Sequence, residues 1–196
     1  MTKEERSEIL EGANQENNTQ TIMEHIENEM IITIERERID KNEKITGFPL
    51  LLSNHLVVMS KIVDFHNEGF VVLRVTDITD AYSKESDAFY EKICINEGLR
   101  AKAKENPITD VVDIISVFER LSDYSEFVVI QCELEENELY FSIGKVSSIE
   151  AGVIHFSNFD KMGVWEKSMR KIPIDKVSLV SIGDNYTNMF FKYVRK

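Results

Sequence analysis

The stretch SNHLVVMSKIVDFHNEGFVVLRVTDITD, residues 53–80, decides how this chain is read. Its apolar runs are short and rich in β-branched residues, and polar breaks at Ser53-Asn54 and at His66-Asn67-Glu68-Gly69 bound them. That pattern predicts strands linked by tight turns, as in a strongly bent small barrel. The same stretch carries His55, Asp64 and His66, whose imidazole and carboxylate groups are ordinary ligands for zinc or iron. His55 falls at a hairpin and His66 at the far end of the strand that follows. At about 3.3 Å per residue this spacing is too long for a shared ion, so turn-forming roles are expected and no metal site.

Upstream, MIITIERERI sets Ile32 and Ile34 in alternation with Thr33 and Glu35, and Glu35 to Arg38 continue as a solvated strand end. A turn around Asp40 to Glu43 leads to the strand GFPLLL. Residues 1–28 form a polar arm: Glu4 to Leu10 suit a short helix, but residues 12–20 have too few apolar groups to offset the entropy of ordering. Ile22, Met23 and Ile26 can dock a helical turn, and His25 belongs to the arm. Downstream, SKESDAFYEKICINEGL has Ser86 as an N-cap, Phe89, Tyr90, Ile93 and Cys94 at helical spacing, and Gly98 as a stop. RAKAKENP is a polar linker. Thr109 or Asp110 then caps a helix with Val111, Ile114, Ile115, Phe118 and Leu121 on one face.

Strand-type sequence resumes with EFVVIQCEL, LYFSIGKVSSI, GVIHFSNF, which holds His155, and IPIDKVSLVSI. GFPLLLSNHLVVMSKIVDF aligns with GKVSSIEAGVIHFSNFDKM, and RVTDITDAY with PIDKVSLVS, so the two β regions look duplicated. Each half resembles an Sm-like (LSm-like) or SH3-like small β-barrel, and the first is similar to compact bacterial proteins of uncharacterised role. The resemblance implies a mainly β (α+β) fold of two duplicated small barrels joined by a helical segment. Its parts are a polar arm (1–28), a first barrel with a C-terminal helix (29–98), a linker and helix (99–124) and a second barrel (125–196). RNA-binding members of that family carry an Asp-x-x-x-Asn type loop and a later Arg-Gly turn. Asp64 and Asn67 lie in a suggestive turn, but no Arg-Gly follows, and the matching turn is Asp160-Lys161-Met162-Gly163.

A chain of 196 residues with 42% hydrophobic content fits one large domain or two small ones. Its formal charge of -12 disfavours nucleic acid as a partner. Cys94 and Cys132 lack ligand spacing and read as reduced, buried thiols. The N-terminus has no apolar leader core and no run is long enough to span a bilayer, so a cytoplasmic protein is expected. No GxSxG, GxGxxG or GxxxxGKS occurs. The carboxylates of Glu133-Leu134-Glu135-Glu136 and of Asp77 and Asp80 read as solvated turn residues, and Asp40 to Glu43 lack EF-hand spacing.

What stands out is MGVWEKSMRKI. Trp165 lies among Met162 and Met169, with Lys167, Arg170 and Lys171 as a dense basic cluster: either a contact patch, or a Trp closing the second barrel. The expectation is a non-catalytic binding or scaffold protein with no cofactor. It acts through protein contacts on sheet edges and loops, with a protein partner or a second copy. Two alternatives are an acidic immunity-type inhibitor of a basic toxin or nuclease, and RNA binding by Sm-like analogy.

Overall fold

β-branched runs and tight turns do become a sheet, and its strand order is repeated. The structure, a computed structural model, describes residues 3–121, 127–135 and 140–194, with side chains from residue 12 onward. Helix α1 (Lys3–Glu27) leads into β1 (Ile32–Arg36), β2 (Asp40–Leu52), β3 (Leu56–Val63) and β4 (His66–Arg74), and a 3₁₀ turn (Val75–Asp77) precedes β5 (Asp80–Tyr82). Helices α2 (Asp87–Asn96), α3 (Leu99–Ala103) and α4 (Ile114–Leu121) follow. Then come β6 (Val128–Gln131), β7 (Phe141–Glu150), β8 (Val153–Asn158) and β9 (Arg170–Pro173), a second 3₁₀ turn (Ile174–Lys176), β10 (Leu179–Ile182) and α5 (Asn185–Tyr193). The chain is mainly β, of the α+β class.

The strands form one antiparallel sheet of order β5-β1-β2-β3-β4-β10-β6-β7-β8-β9, which stays open: among the described residues no ladder joins β5 to β9. Each half places its fifth strand beside its first and its fourth at the far side. The halves meet where β10 pairs with β4, from Leu179↔Leu73 to Ile182↔Phe70. They share a ladder, so the helical segment is not all that joins them.

The bends recur at matching positions. A Cβ on Gly47 would lie 2.0 Å from the Ser60 carbonyl oxygen, and one on Gly144 would lie 2.0 Å from that of Ser157. Shortly after each glycine the ladder slips, between Pro49 and Leu51 and between Val146 and Ser148, and such bulges sharpen strand bending. Thr79 donates from both N (2.9 Å) and Oγ1 (3.1 Å) to the Glu35 carbonyl, and Ser178 donates from N (2.9 Å) to that of Gln131, with its Oγ 3.1 Å from the same oxygen.

Alternation sends adjacent residues to opposite faces. Val57, Met59, Val71, Leu73 and Leu179 pack beneath Ile22 and Ile26 of α1. On the other face Val58, Val72, Val128, Ile130 and Val180 lie beneath Ile114, Val117, Phe118 and Leu121 of α4, and each such burial contributes about 1.5–3 kcal/mol. Phe48 and Ile62 meet Cys94, Leu99 and Ala103 from α2 and α3.

Several local expectations are corrected. The polar arm is a continuous helix from Lys3 to Glu27. It docks through polar groups as well as Ile22: Gln15 Nε2 donates to the Val75 carbonyl (2.6 Å) and Asn18 Nδ2 to that of Thr79 (3.3 Å). His25 is buried between the Thr21 carbonyl (2.8 Å) and Ser83 Oγ (3.1 Å). Asp40 to Glu43 already lie in β2. The β3–β4 turn is tipped by Asp64 and Phe65, both at positive φ, with His66 opening β4. The linker expected after Gly98 holds the short helix α3. Helix α4 starts later than Thr109: Asp113 Oδ1 accepts from Ser116 N (2.8 Å), and Ser116 Oγ accepts from Asp113 N (3.0 Å), a reciprocal cap.

Candidate functional site

The methionine, tryptophan and lysine stretch is the loop between β8 and β9 together with the start of β9. Asp160 organises it: Oδ1 accepts from Met162 N (2.8 Å) and Val164 N (3.0 Å), and Asp160 N donates to the Val164 carbonyl (2.9 Å). This folds Trp165 back onto a cluster of Phe127, Val129, Ile143 and Phe159. Its half-buried ring stacks on Phe127 at 5.8 Å and meets Phe159 edge-on at 5.4 Å, and Phe159 in turn packs 5.4 Å from Phe190 of α5.

Arg170 is also engaged. Its guanidinium donates to Glu166 (2.6 and 3.0 Å), to the Phe141 carbonyl (2.9 Å) and to Ser142 Oγ (3.0 Å). That hydrogen bond from Arg170 holds the Glu166 carboxyl below its ordinary range. Of the six patch residues, Met162 (68% exposed) and Met169 (56%) face solvent with Lys167 and Lys171, while Trp165 and Arg170 support the loop from beneath.

Sequence reasoning missed α5, which continues this surface. Its signal was present: Asp184 Oδ1 accepts from Thr187 N at 2.7 Å, an N-cap at the usual spacing. Phe190 turns inward, and Tyr186, Met189 and Tyr193 stay exposed. The outward side chains of loop and helix flank one aromatic cluster.

The other candidates are dispersed. The His55 carbonyl accepts from Val75 N at 2.9 Å at one end of the β3–β4 hairpin, whereas His66 pairs with Val63 at the other, its Nδ1 2.7 Å from the Asp64 carbonyl. His155 lies in β8 opposite Lys171. Asn67 is used internally, donating to Ser60 Oγ (2.7 Å) and accepting from Gly69 N (3.0 Å). Among the described residues no three His, Cys, Asp or Glu side chains gather where one ion could be held. Both cysteines are buried, and burial pushes the Cys132 thiol up to about 11.

Two sequence expectations about charge are corrected. Arg36, read as part of a solvated strand end, is 1% exposed, and Glu133, read as a solvated turn residue, is its partner. Arg36 also donates to Glu43, and Ser178 Oγ donates to Glu133 Oε2 at 2.7 Å. Glu135 pairs with Lys176 at 3.0 Å, and Glu136 lies outside the described residues. Asp80 belongs to β5. Asp77 is half-buried, and burial raises its carboxyl above the ordinary value, opposed by Arg74 and Arg36.

A groove of about 580 Å³ crosses the sheet where the halves meet, floored by Val71, Val129 and Leu179 and rimmed by Glu68, Asp184 and Tyr186. Among the described residues no helix is long and apolar enough to cross a membrane. Comparison of the chain with protein-family models, with curated proteins and with solved structures gave no match.

Proposed function

We propose that this chain is a non-catalytic binding or scaffold protein that acts through protein contacts, built as two Sm-like small barrels fused in tandem. The repeated strand order, the paired glycine bends and the paired Thr79 and Ser178 hydrogen bonds support the tandem reading. The observation that carries the binding reading is the outward surface of the second half. Met162, Met169, Met189, Tyr186 and Tyr193 are each about half exposed or more, around a core that their neighbours Trp165 and Phe190 already fill. Unbranched thioethers adapt to a partner's shape, and tyrosines add contact area at low entropic cost. Lysines at the rim supply orientation rather than affinity.

The test is retention of proteins from a cell extract on the immobilised chain, beside the variant Met162→Ser/Met189→Ser. Both side chains are exposed, so the variant's melting curve should match the wild type, while the retained proteins are lost. A variant that keeps the same set, or a wild-type chain that retains nothing, sinks the reading.

A further inference from the structure

The two outer edges of the ten-stranded sheet match each other in the way that its middle strands do. We infer that the β9 edge is occupied by the β5 edge of a second copy of this chain, paired head to tail. This rests on the reading of the protein as a binding module and names its partner.

Within the chain, β10 and β4 already show such a contact: the fifth strand of one half lies along the fourth strand of the other. Strands β5 and β9 hold the same two places in the halves where no such pairing occurs, and among the described residues each has one strand neighbour, β1 and β8 respectively. A sheet edge with one neighbour presents a row of backbone groups to another strand. The chain therefore contains both a finished junction and the two sides of an unfinished one.

The register follows from the internal contact. The matched hydrogen bonds of Thr79 and Ser178 set Asp80 in the place of Leu179, and the matched 3₁₀ turns set Ile172 in the place of Leu73. Carrying over Leu179↔Leu73, Val180↔Val72, Ser181↔Val71 and Ile182↔Phe70 puts Asp80 opposite Ile172 of the second copy. It also puts Ala81 opposite Lys171, Tyr82 opposite Arg170 and Ser83 opposite Met169. The Glu35 carbonyl points at β5, where Glu35 is opposite Asp80 and Thr33 opposite Tyr82, so by alternation the N–H groups of Asp80 and Tyr82 face β1. The N–H of Ala81, from which Asp80 Oδ1 accepts at 3.0 Å, faces the open side opposite Lys171. Pro173, which has no N–H to give, lies one position beyond the paired run and does not interrupt it.

Charge agrees with the pairing. Asp80 and Glu85 are exposed at the β5 edge, and Lys167 and Lys171 at the β9 edge. The chemistry differs from the internal junction in one respect. There Val72 meets Val180, both buried, whereas here lysine, methionine and serine take part. The contact between copies is thus reversible and salt-sensitive where the internal one is permanent. Because the pairing is head to tail, each added copy leaves one β5 and one β9 open, and growth ends only when a ring closes.

The experiment is sedimentation velocity of the full chain across a concentration series at low and high salt. The expected mass rises above that of the 22.7 kDa chain with concentration and falls back with salt. Ala81→Pro removes the outward N–H of this edge strand and should weaken association about tenfold or more. Lys171→Glu opposes the acidic edge and should weaken it as well. Each variant retains one intact edge, so a mixture of the two should form dimers and nothing larger, a result that misfolding of either could not produce. A wild-type chain that stays at the single-chain mass throughout overturns the inference, as does a mixture that does not pair. If extract proteins are still retained in that case, the second copy is wrong and the binding reading stands.

Discussion

Arg36 and Glu133 lie 97 positions apart, one at the end of β1 and the other just past β6, and are joined by hydrogen bonds of 2.7 and 3.0 Å. Their side chains are 1% and 6% exposed, so this is a buried ion pair linking the halves. Taking both charges from water is costly, and Glu43 and Ser178 offset part of that cost with further hydrogen bonds, although the buried Arg36 Nε has no partner among the described residues. Removing one partner leaves the other charge buried alone. Glu133→Ala should therefore cost about 3–5 kcal/mol, lowering the melting temperature by about 10 °C, whereas Glu43→Ala, at the wetter side of the arginine, should cost about 1 kcal/mol or less. Thermal melts of the two variants decide it: equal losses would mean that Glu133 is no more desolvated than Glu43.

Gly47 and Gly144 make a second matched pair, with a sharper contrast. Each lets β2 or β7 come so close to the next strand that a Cβ would sit 2.0 Å from a carbonyl oxygen of backbone, which cannot swing aside. Gly47→Ala and Gly144→Ala should each destabilise by about 2 kcal/mol or more. Gly12, within α1, meets nothing within 4 Å, and alanine there should stabilise by about 0.5–1 kcal/mol by favouring helix. Urea unfolding of the three variants should give two losses and one gain. A loss at Gly47 with none at Gly144 would break the equivalence of the two bends.

What was legible follows from how each element is held. Strands β3 and β4 could be read because burial on both faces writes itself as continuous Val, Leu and Met runs. Gly47 and Gly144 approach the next strand in the same way, and Asp77-Ile78 and Lys176-Val177 each close a 3₁₀ turn. Helix α1 was obscured because Gln15 and Asn18 dock to backbone carbonyls, a role that composition reports as disorder. Arg36 was misread for a similar reason: its neighbours Glu35, Glu37 and Arg38 look solvated, and its partner lies in the other half. The β4–β10 ladder could not be read, since both strands are apolar and nothing local states which edge each will meet. At the candidate site, Met162 and Met169 were visible as outliers, but α5 was hidden behind a single Asp184 cap.

Asp77 and Glu166 should respond to pH in opposite senses. Burial raises the Asp77 carboxyl above its ordinary 3.8, despite nearby Arg74 and Arg36, so the folded chain holds that proton more tightly than the unfolded one. Stability from this group therefore falls as pH rises from the ordinary aspartate value through the raised one, and at neutral pH its charge is a cost. Glu166 is the reverse: the hydrogen bond from Arg170 lowers it below 4.5, so its contribution is present at neutral pH and is lost as pH falls through the lowered value. At pH 7 Asp77→Asn should raise the melting temperature and Glu166→Gln should lower it. Below the lowered Glu166 value both differences should shrink towards zero, because these two carboxyls are then protonated in both states. A destabilised Asp77→Asn at neutral pH would show that attraction from Arg74 and Arg36 outweighs desolvation at that site.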